Sequence, residues 1–399
     1  MQGGAVTLCL TGDVMLGRGV DQILPHPGDP ALAEAYVRDA RTYVELAEAV
    51  NGPIPRPVDF SWPWGVVLRV LARTAPDALV LNLETSVTRS DDAIPGKGIH
   101  YRMHPANLPC LTAARPDVCV LANNHVLDYG RRGLEETLDV LAAAGLRTAG
   151  AGRDAEQAAR PAAVPVGRGR RVLVLSLGME SSGVPPDWAA TADRSGVAFA
   201  AEASGSAAAE LAVRIREAKR PGDVCVVSVH WGSNWGYRVP PDQIRFAHAL
   251  VDAGADVVHG HSSHHPRPVE VYRGRLIAYG CGDLINDYEG ITGYATYRDD
   301  LRPLYLVSVE AATGRLRELC VVPLQARRMR LRRASAADSR WLGGTLDRVS
   351  RHFGVRIRPR PDGTLALRPE EPPESGGPAG AGAARAEPSG RHRRESSTN

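Results

Sequence analysis

Short runs rich in valine and leucine recur along this chain, separated by segments with helical periodicity, and that alternation restricts the fold more than any other feature. Residues 6–10, 78–81, 118–121, 172–177, 224–229 and 257–259 are such runs. They lack a strict polar–apolar alternation, so they suit strands buried on both faces. Residues 64–72, 133–144, 207–218 and 243–253 carry helical patterns, the last two stopping near Pro221 and Gly254. Strands alternating with helices predict a layered α/β fold. Hairpins are predicted at 164–174, turning at Gly167-Arg168-Gly169, and at 269–279, turning at Arg273-Gly274. A third joins 304–310 to 316–323 near Thr313-Gly314. These antiparallel pairs imply mixed sheets.

The hydrophobic fraction of 43% over 399 residues is enough for a large core. No run of about 20 apolar residues is present, and the first residues lack a charged, apolar leader. The expectation is a cytoplasmic protein with no membrane span. Six cysteines are scattered singly, and Cys9, Cys119, Cys225 and Cys281 sit in strand-like runs. That is the pattern of reduced core thiols. The formal charge is only +3, and Lys97 and Lys219 are the only lysines among many arginines. No basic stripe interleaved with aromatics appears, so nucleic acid is not an expected partner. Residues 327–333, with arginine at five positions, read as an edge strand or a solvated face. Beyond 335 the character changes: 339–353 predicts an amphipathic helix and 355–367 a hairpin around Asp362-Gly363. The predicted organisation is a main domain over 1–335, a small helix-and-hairpin appendage over 336–368, and a disordered tail over 369–399.

Polar residues of one chemical kind collect where the strand-like runs end. Asp13 follows the first run, Asn82 and Glu84 the second, and Asn123, Asn124, His125 and Asp128 the third. His230 closes 224–229 and is followed by Trp231-Gly232-Ser233-Asn234; the loop after 257–259 carries His261, His264 and His265. Open α/β sheets bind ligands at the carboxyl ends of their strands. Carboxylates, imidazoles and an amide oxygen together suit divalent cations of borderline hardness. Each residue also has an ordinary explanation. Asp13 could cap a helix, Glu84 could pair with an arginine, Asn123-Asn124 could fill a turn, and His125 could be a hydrogen-bonded core histidine. Their coincidence at five strand ends favours the metal reading.

With those blocks in place, the chain resembles the CapA family of capsule and poly-γ-glutamate synthesis proteins, relatives of calcineurin-like metallophosphoesterases. The resemblance rests on Thr11-Gly12-Asp13-Val14-Met15-Leu16-Gly17-Arg18, on Asn82-Leu83-Glu84-Thr85 and on 122–130 around Asn123-Asn124-His125. Further matches are Val229-His230-Trp231-Gly232, Gly260-His261-Ser262-Ser263-His264 and Tyr279-Gly280-Cys281-Gly282-Asp283. It implies a four-layer α/β/β/α metallophosphoesterase-like sandwich. It also implies one or two divalent ions (Mn, Fe, Zn or Mg) held by Asp13, Glu84, Asn124, His230, His261 and His264. His125 resembles the histidine that protonates a leaving group in such enzymes, and Asp128 is assigned to the catalytic group with it. Where typical phosphoesterases read Asp-x-His, this chain has Asp13-Val14-Met15.

The expected activity is a metal-dependent hydrolase or transferase acting on a γ-glutamyl, amide or phosphoester bond of a small or polyanionic substrate. Arg18, Arg102, His104 and Asn234 are the candidates for substrate binding. Asp283, Asn286 and Asp287 are candidates for orienting the histidines. The alternative is a non-catalytic accessory protein of polyanion synthesis or export that binds through the same pocket.

Overall fold

The computed structural model describes residues 4–167 and 169–367. In the first large sheet, Ala5–Val14, Ala78–Leu83, Val118–Val120 and Arg147–Ala149 run parallel. Beyond the other edge of Ala5–Val14 the order continues antiparallel through Leu301–Glu310, Leu316–Ala326, Leu365–Leu367 and Ile357–Pro359. The second large sheet sets Phe199–Ala200, Arg171–Met179, Val224–His230, Val257–His261 and Arg275–Ala278 in parallel. Ala162–Pro165 and Val269–Tyr272 join it antiparallel. The fold is a mixed α/β one, and the three predicted hairpins supply antiparallel pairs in both sheets.

The two-residue period of a strand explains why the runs are apolar throughout. Leu8, Leu10, Val80 and Val118 share one cluster with Val172, Val174, Val224 and Val257, so the first four meet side chains of the second sheet. The intervening Cys9, Leu79, Leu81 and Cys119 pack instead with Val44, Val67, Leu134 and Leu141 from helices Arg41–Asn51, Val67–Thr74 and Gly130–Ala143. On the second sheet, Leu175, Cys225, Val227 and Val258 pack with Leu211, Ile215, Phe246 and Leu250 from Gly205–Ala218 and Pro241–Asp252. Each fully buried leucine or valine contributes roughly 1.5–3 kcal/mol.

Several elements differ from expectation, three of them instructively. The helix Arg41–Asn51 was not predicted, although Tyr43, Val44 and Ala47 recur at helical spacing and form its buried face. The first strand runs on to Val14 because Asp283–Ile285 pairs with its end, Asp13 opposite Asp283. That approach needs Gly12, where a Cβ would lie 1.5 Å from the Gly282 carbonyl oxygen. The C-terminal helix begins at Ala336, earlier than the apolar pattern, because the Ser335 hydroxyl accepts the Asp338 N–H at 3.1 Å. Leu331–Arg333 forms an edge strand on Leu316–Ala326. The tail expected over 369–399 lies outside the described residues. Among the described residues no helix is long and apolar enough to cross a membrane.

Candidate metal centre

Parallel strands deliver their last residues to one edge, and here both sheets do so at the same place. Asp13 ends its strand opposite Asn82 and Asp283, and His230 ends its strand opposite His261. Asp13, Glu84, His230, His261 and His264 are buried, and Asn124 is half-buried. Two groups of ligand atoms, each within 4.8 Å of one another, share Asp13: Asp13 with His230 and His261, and Asp13 with His264 and Asp283. Around them, His230 Nε2 lies 3.0 Å from Asn124 Oδ1 and 3.8 Å from Glu84 Oε1. The two imidazoles face each other Nδ1 to Nδ1 at 2.8 Å. The Ser228 hydroxyl lies 2.8 Å from His261 Nε2, which fixes that ring with its Nδ1 toward His230 and Asp13.

The electrostatics are those of carboxylates crowded without enough positive charge. Burial and the charge of Asp283 push Asp13 up to about 7. Burial and Asp13 hold Glu84 well above the usual carboxylate range. Burial likewise drives His230 and His261 well below the usual imidazole value, so both rings are neutral. Against the burial penalty, His264 is raised by Asp283 while Asp283 is lowered by His264 and Arg302. The Asn82 amide donates 2.8 Å hydrogen bonds to both Asp13 Oδ1 and Glu84 Oε2. Asp13 Oδ2 is buried and has no hydrogen-bond partner. A carboxylate oxygen so placed, facing neutral imidazoles and a second carboxylate, fits a divalent cation.

His125 stands beside this cluster, its Nε2 3.9 Å from Glu84 Oε1. Its Nδ1 is 2.7 Å from Asp128 Oδ2, and the Tyr101 ring packs edge-on against it at 4.8 Å. Burial pushes the imidazole down to about 4. Asp128 accepts the Tyr101 N–H at 2.6 Å, and Lys97 Nζ lies 2.6 Å from its other oxygen and 2.9 Å from His125 Nδ1.

The expected ligands and the His125–Asp128 pair come together; the expected substrate-binding residues do so less closely. Arg18 lies behind Tyr101, bonded to Asp287, Glu34 and the Tyr101 hydroxyl. Arg102 bonds Asp91 and the Ser90 carbonyl, and His104 accepts the Ala106 N–H. Asn234 is exposed, and its carbonyl accepts the His264 N–H at 3.0 Å. Of the residues read as orienting groups, Asp283 contacts His264 and Asn286 donates to Asp283, but Asp287 holds Arg18 instead of a histidine. Two roles went unread. Asp283 lies among the possible ligands themselves, and Lys97 touches the His125–Asp128 pair. The scarcity of lysine in the chain was the available signal for Lys97.

The family model described as bacterial capsule synthesis protein PGA_cap matches residues 7–288. A Mycobacterium tuberculosis protein named "Probable polyglutamine synthesis accessory protein" is 55% identical over 365 residues, covering 91% of this chain and 96% of that one. The "PGA biosynthesis protein CapA" of Bacillus subtilis is 29% identical over 310 residues, 76% of this chain and 68% of that protein. The "Capsule biosynthesis protein CapA" of Bacillus anthracis is 27% identical over 289 residues, 71% and 60%.

Proposed function

The chain belongs to the bacterial capsule synthesis (PGA_cap) family, and from that premise we propose that it is a CapA-like, divalent-metal-dependent hydrolase or transferase of poly-γ-glutamate or capsule synthesis. The bond acted on is γ-glutamyl, amide or phosphoester, and the location is cytoplasmic. The observation that carries the reading is the sharing of Asp13, with its unpartnered buried oxygen, between two carboxylate–imidazole groups. Asp13, Glu84, Asn124, His230, His261 and His264 hold one or two ions (Mn, Fe, Zn or Mg), with Asp283 in reach of the second. A divalent cation held by these residues would supply Lewis-acid polarisation of the scissile group.

The protein's own groups supply the rest. With Nδ1–H given to Asp128, His125 keeps the lone pair on Nε2 and, being neutral, takes up a proton and returns it to the leaving group. Asp128 fixes the ring and its tautomer. Arg18, whose guanidinium donates to the Tyr101 hydroxyl, Arg102 and His104 contribute to substrate binding, and Asn234 does so as an exposed donor beside His264. We assign the layers to an α/β/β/α metallophosphoesterase-like sandwich, since one core cluster lies between the sheets and one on each helical side. Residues 1–335 are its domain, with 336–368 an appendage added at the sheet edge.

One observation favours the accessory reading: the relative 55% identical is named an accessory protein. Metal analysis of tag-free protein separates the two when combined with activity. The expected result is one or two Mn, Fe, Zn or Mg per chain, lost in His261→Ala, and turnover of poly-γ-glutamate or a phosphodiester that His125→Ala abolishes while keeping its metal. Metal without turnover under any of these cations supports the accessory role. A parent that binds none defeats the metal reading altogether.

A further inference from the structure

The arginine run at 327–333 is unused by the metal centre, and its structure is built rather than incidental. Arg327, Arg328, Arg330 and Arg332 are exposed, and with Arg69 from the helix Val67–Thr74 they line a groove of about 570 Å³. Among the described residues none of these five has a carboxylate within ion-pair distance, although Arg18, Arg153, Arg171, Arg298 and Arg302 elsewhere are paired. Arg332 meets only the neutral Gln325 amide, and Arg330 lies over the Trp62 ring at 4.6 Å. Asp59, the acid near Arg330, bonds Ser61.

The turn that presents them is held under strain. Arg328 and Met329 are consecutive left-handed residues, φ 58° and 48°, a conformation unfavourable for residues that carry a side chain. The buried Glu289 carboxylate holds them there by accepting both their N–H groups, at 2.7 and 2.6 Å. The Trp62 indole donates to the Arg328 carbonyl at 3.0 Å, and Val66 N–H donates to the Leu331 carbonyl at 3.1 Å. Gly65 admits that carbonyl: a Cβ there would lie 2.0 Å from the Leu331 oxygen. Backbone strain maintained from three sides is characteristic of binding sites. A second cavity shares Arg327 and Arg332 with this groove and extends to Tyr288, whose ring packs on His264 at 5.1 Å.

We propose that this groove is a binding site for a polymeric carboxylate, separate from the metal centre and serving to hold a polyanion chain near it. The polymer's identity rests on the function proposed above; the anion site itself rests on the arginines. Guanidinium forks match carboxylates in bidentate geometry. Nucleic acid is disfavoured because the Trp62 ring beside the turn is already covered by Arg330 and so is not free to stack on a base.

The test is binding of a fluorescent poly-γ-glutamate oligomer to the full chain, by anisotropy, over a range of salt. The variant carries Arg69→Gln, Arg327→Gln, Arg330→Gln and Arg332→Gln, with a milder Arg327→Gln and Arg332→Gln pair as a second. Arg214→Gln and Arg216→Gln in the helix Gly205–Ala218, with Arg220→Gln just after it, serve as the control. The expected result is salt-sensitive binding by the parent and control, weakened on the order of tenfold in the fourfold variant and less in the pair. Elemental analysis should find the parent's metal content in both arginine variants, so failure of the metal reading stays distinct from failure here. The proposal is overturned by either of two results: parent-like binding in both arginine variants, or a preference of the parent for polyphosphate or duplex DNA over the polycarboxylate.

Discussion

Asp128 shows what one residue does at this centre. It lies three positions after His125, accepts from Tyr101 N–H, and faces both His125 Nδ1 and Lys97 Nζ. An amide there keeps the shape but presents the imidazole with a donor on one side or a weaker acceptor on the other, so the tautomer with a free Nε2 lone pair loses its anchor. Asp128→Asn is therefore expected to lower kcat roughly 10²–10⁴-fold with a small change in KM, while metal content stays at the parent level. Steady-state kinetics alongside elemental analysis check both halves; unchanged kcat removes His125 from the chemistry. At this scale the sequence was readable wherever a residue type is restrictive. Histidines, Asn124 and Asp13 at strand ends point to coordination on their own. Asp283 was read only as an orienting group because its approach depends on Asp283–Ile285 pairing with the end of the first strand, a contact between positions 270 residues apart in sequence (283 against 13). Arg18 illustrates the same limit: an arginine in a motif suggests an anion, and the acids it pairs with, Glu34 and Asp287, come from segments the motif does not indicate.

Elements were legible in proportion to how strongly their own residues specify them. The buried parallel strands announced themselves through valine, and the hairpins through glycine turns. The helix Arg41–Asn51 was missed although its buried face has helical spacing; what its sequence does not show is the partner, Arg18, whose guanidinium lies 3.6 Å from the Tyr43 ring centre. The C-terminal helix Ala336–Ser350 and the hairpin after it hang on another local device. Asp347 accepts from Arg356, Arg351 and the Ile357 N–H, tying the helix to the strand Ile357–Pro359. The Arg356 guanidinium, with burial opposing and then Arg351 and the Ile357 N–H assisting, holds this carboxyl well below the usual range. A depressed folded-state pKa adds stability that is complete above the ordinary carboxylate value and lost as pH falls below it. Asp347→Asn should then cost about 1–2 kcal/mol near neutral pH, a modest sum because Arg351 and Arg356 are partly exposed to solvent. Urea unfolding at a series of pH values should show parent and variant converging below about pH 4; a gap that stays constant into acid would mean the ion pairs contribute nothing.

At the scale of the whole molecule, the sequence could indicate the strands but not which sheet each joins. Valine-rich runs are alike, and the assignment depends on crossovers and on the core between the sheets. The structure turns that partition into a mechanical consequence. Asp13 and Glu84 belong to the first sheet's strand ends, His230 and His261 to the second's. The sheets are also tied there by His259, whose Nε2 lies 2.8 Å from the Thr11 carbonyl. A cation held between Asp13 and the two histidines would bridge the sheets and bind the folded chain alone. Binding to the native state adds about 2.7 kcal/mol at a free concentration one hundred times Kd, which for a chain of this size raises Tm on the order of 5 °C. Manganese or zinc should therefore raise the parent's Tm by that order, EDTA should reverse the rise, and Asp13→Asn and His261→Ala should each abolish it. Asn82→Asp provides the complementary check: it replaces an amide that bonds Asp13 and Glu84 with a third carboxylate. Without metal it should be less stable than the parent through repulsion, and with metal it should recover more. If neither cation moves the parent's Tm, the strand ends of the two sheets are joined without metal, by packing and by contacts such as His259 to the Thr11 carbonyl and His230 to Asn124.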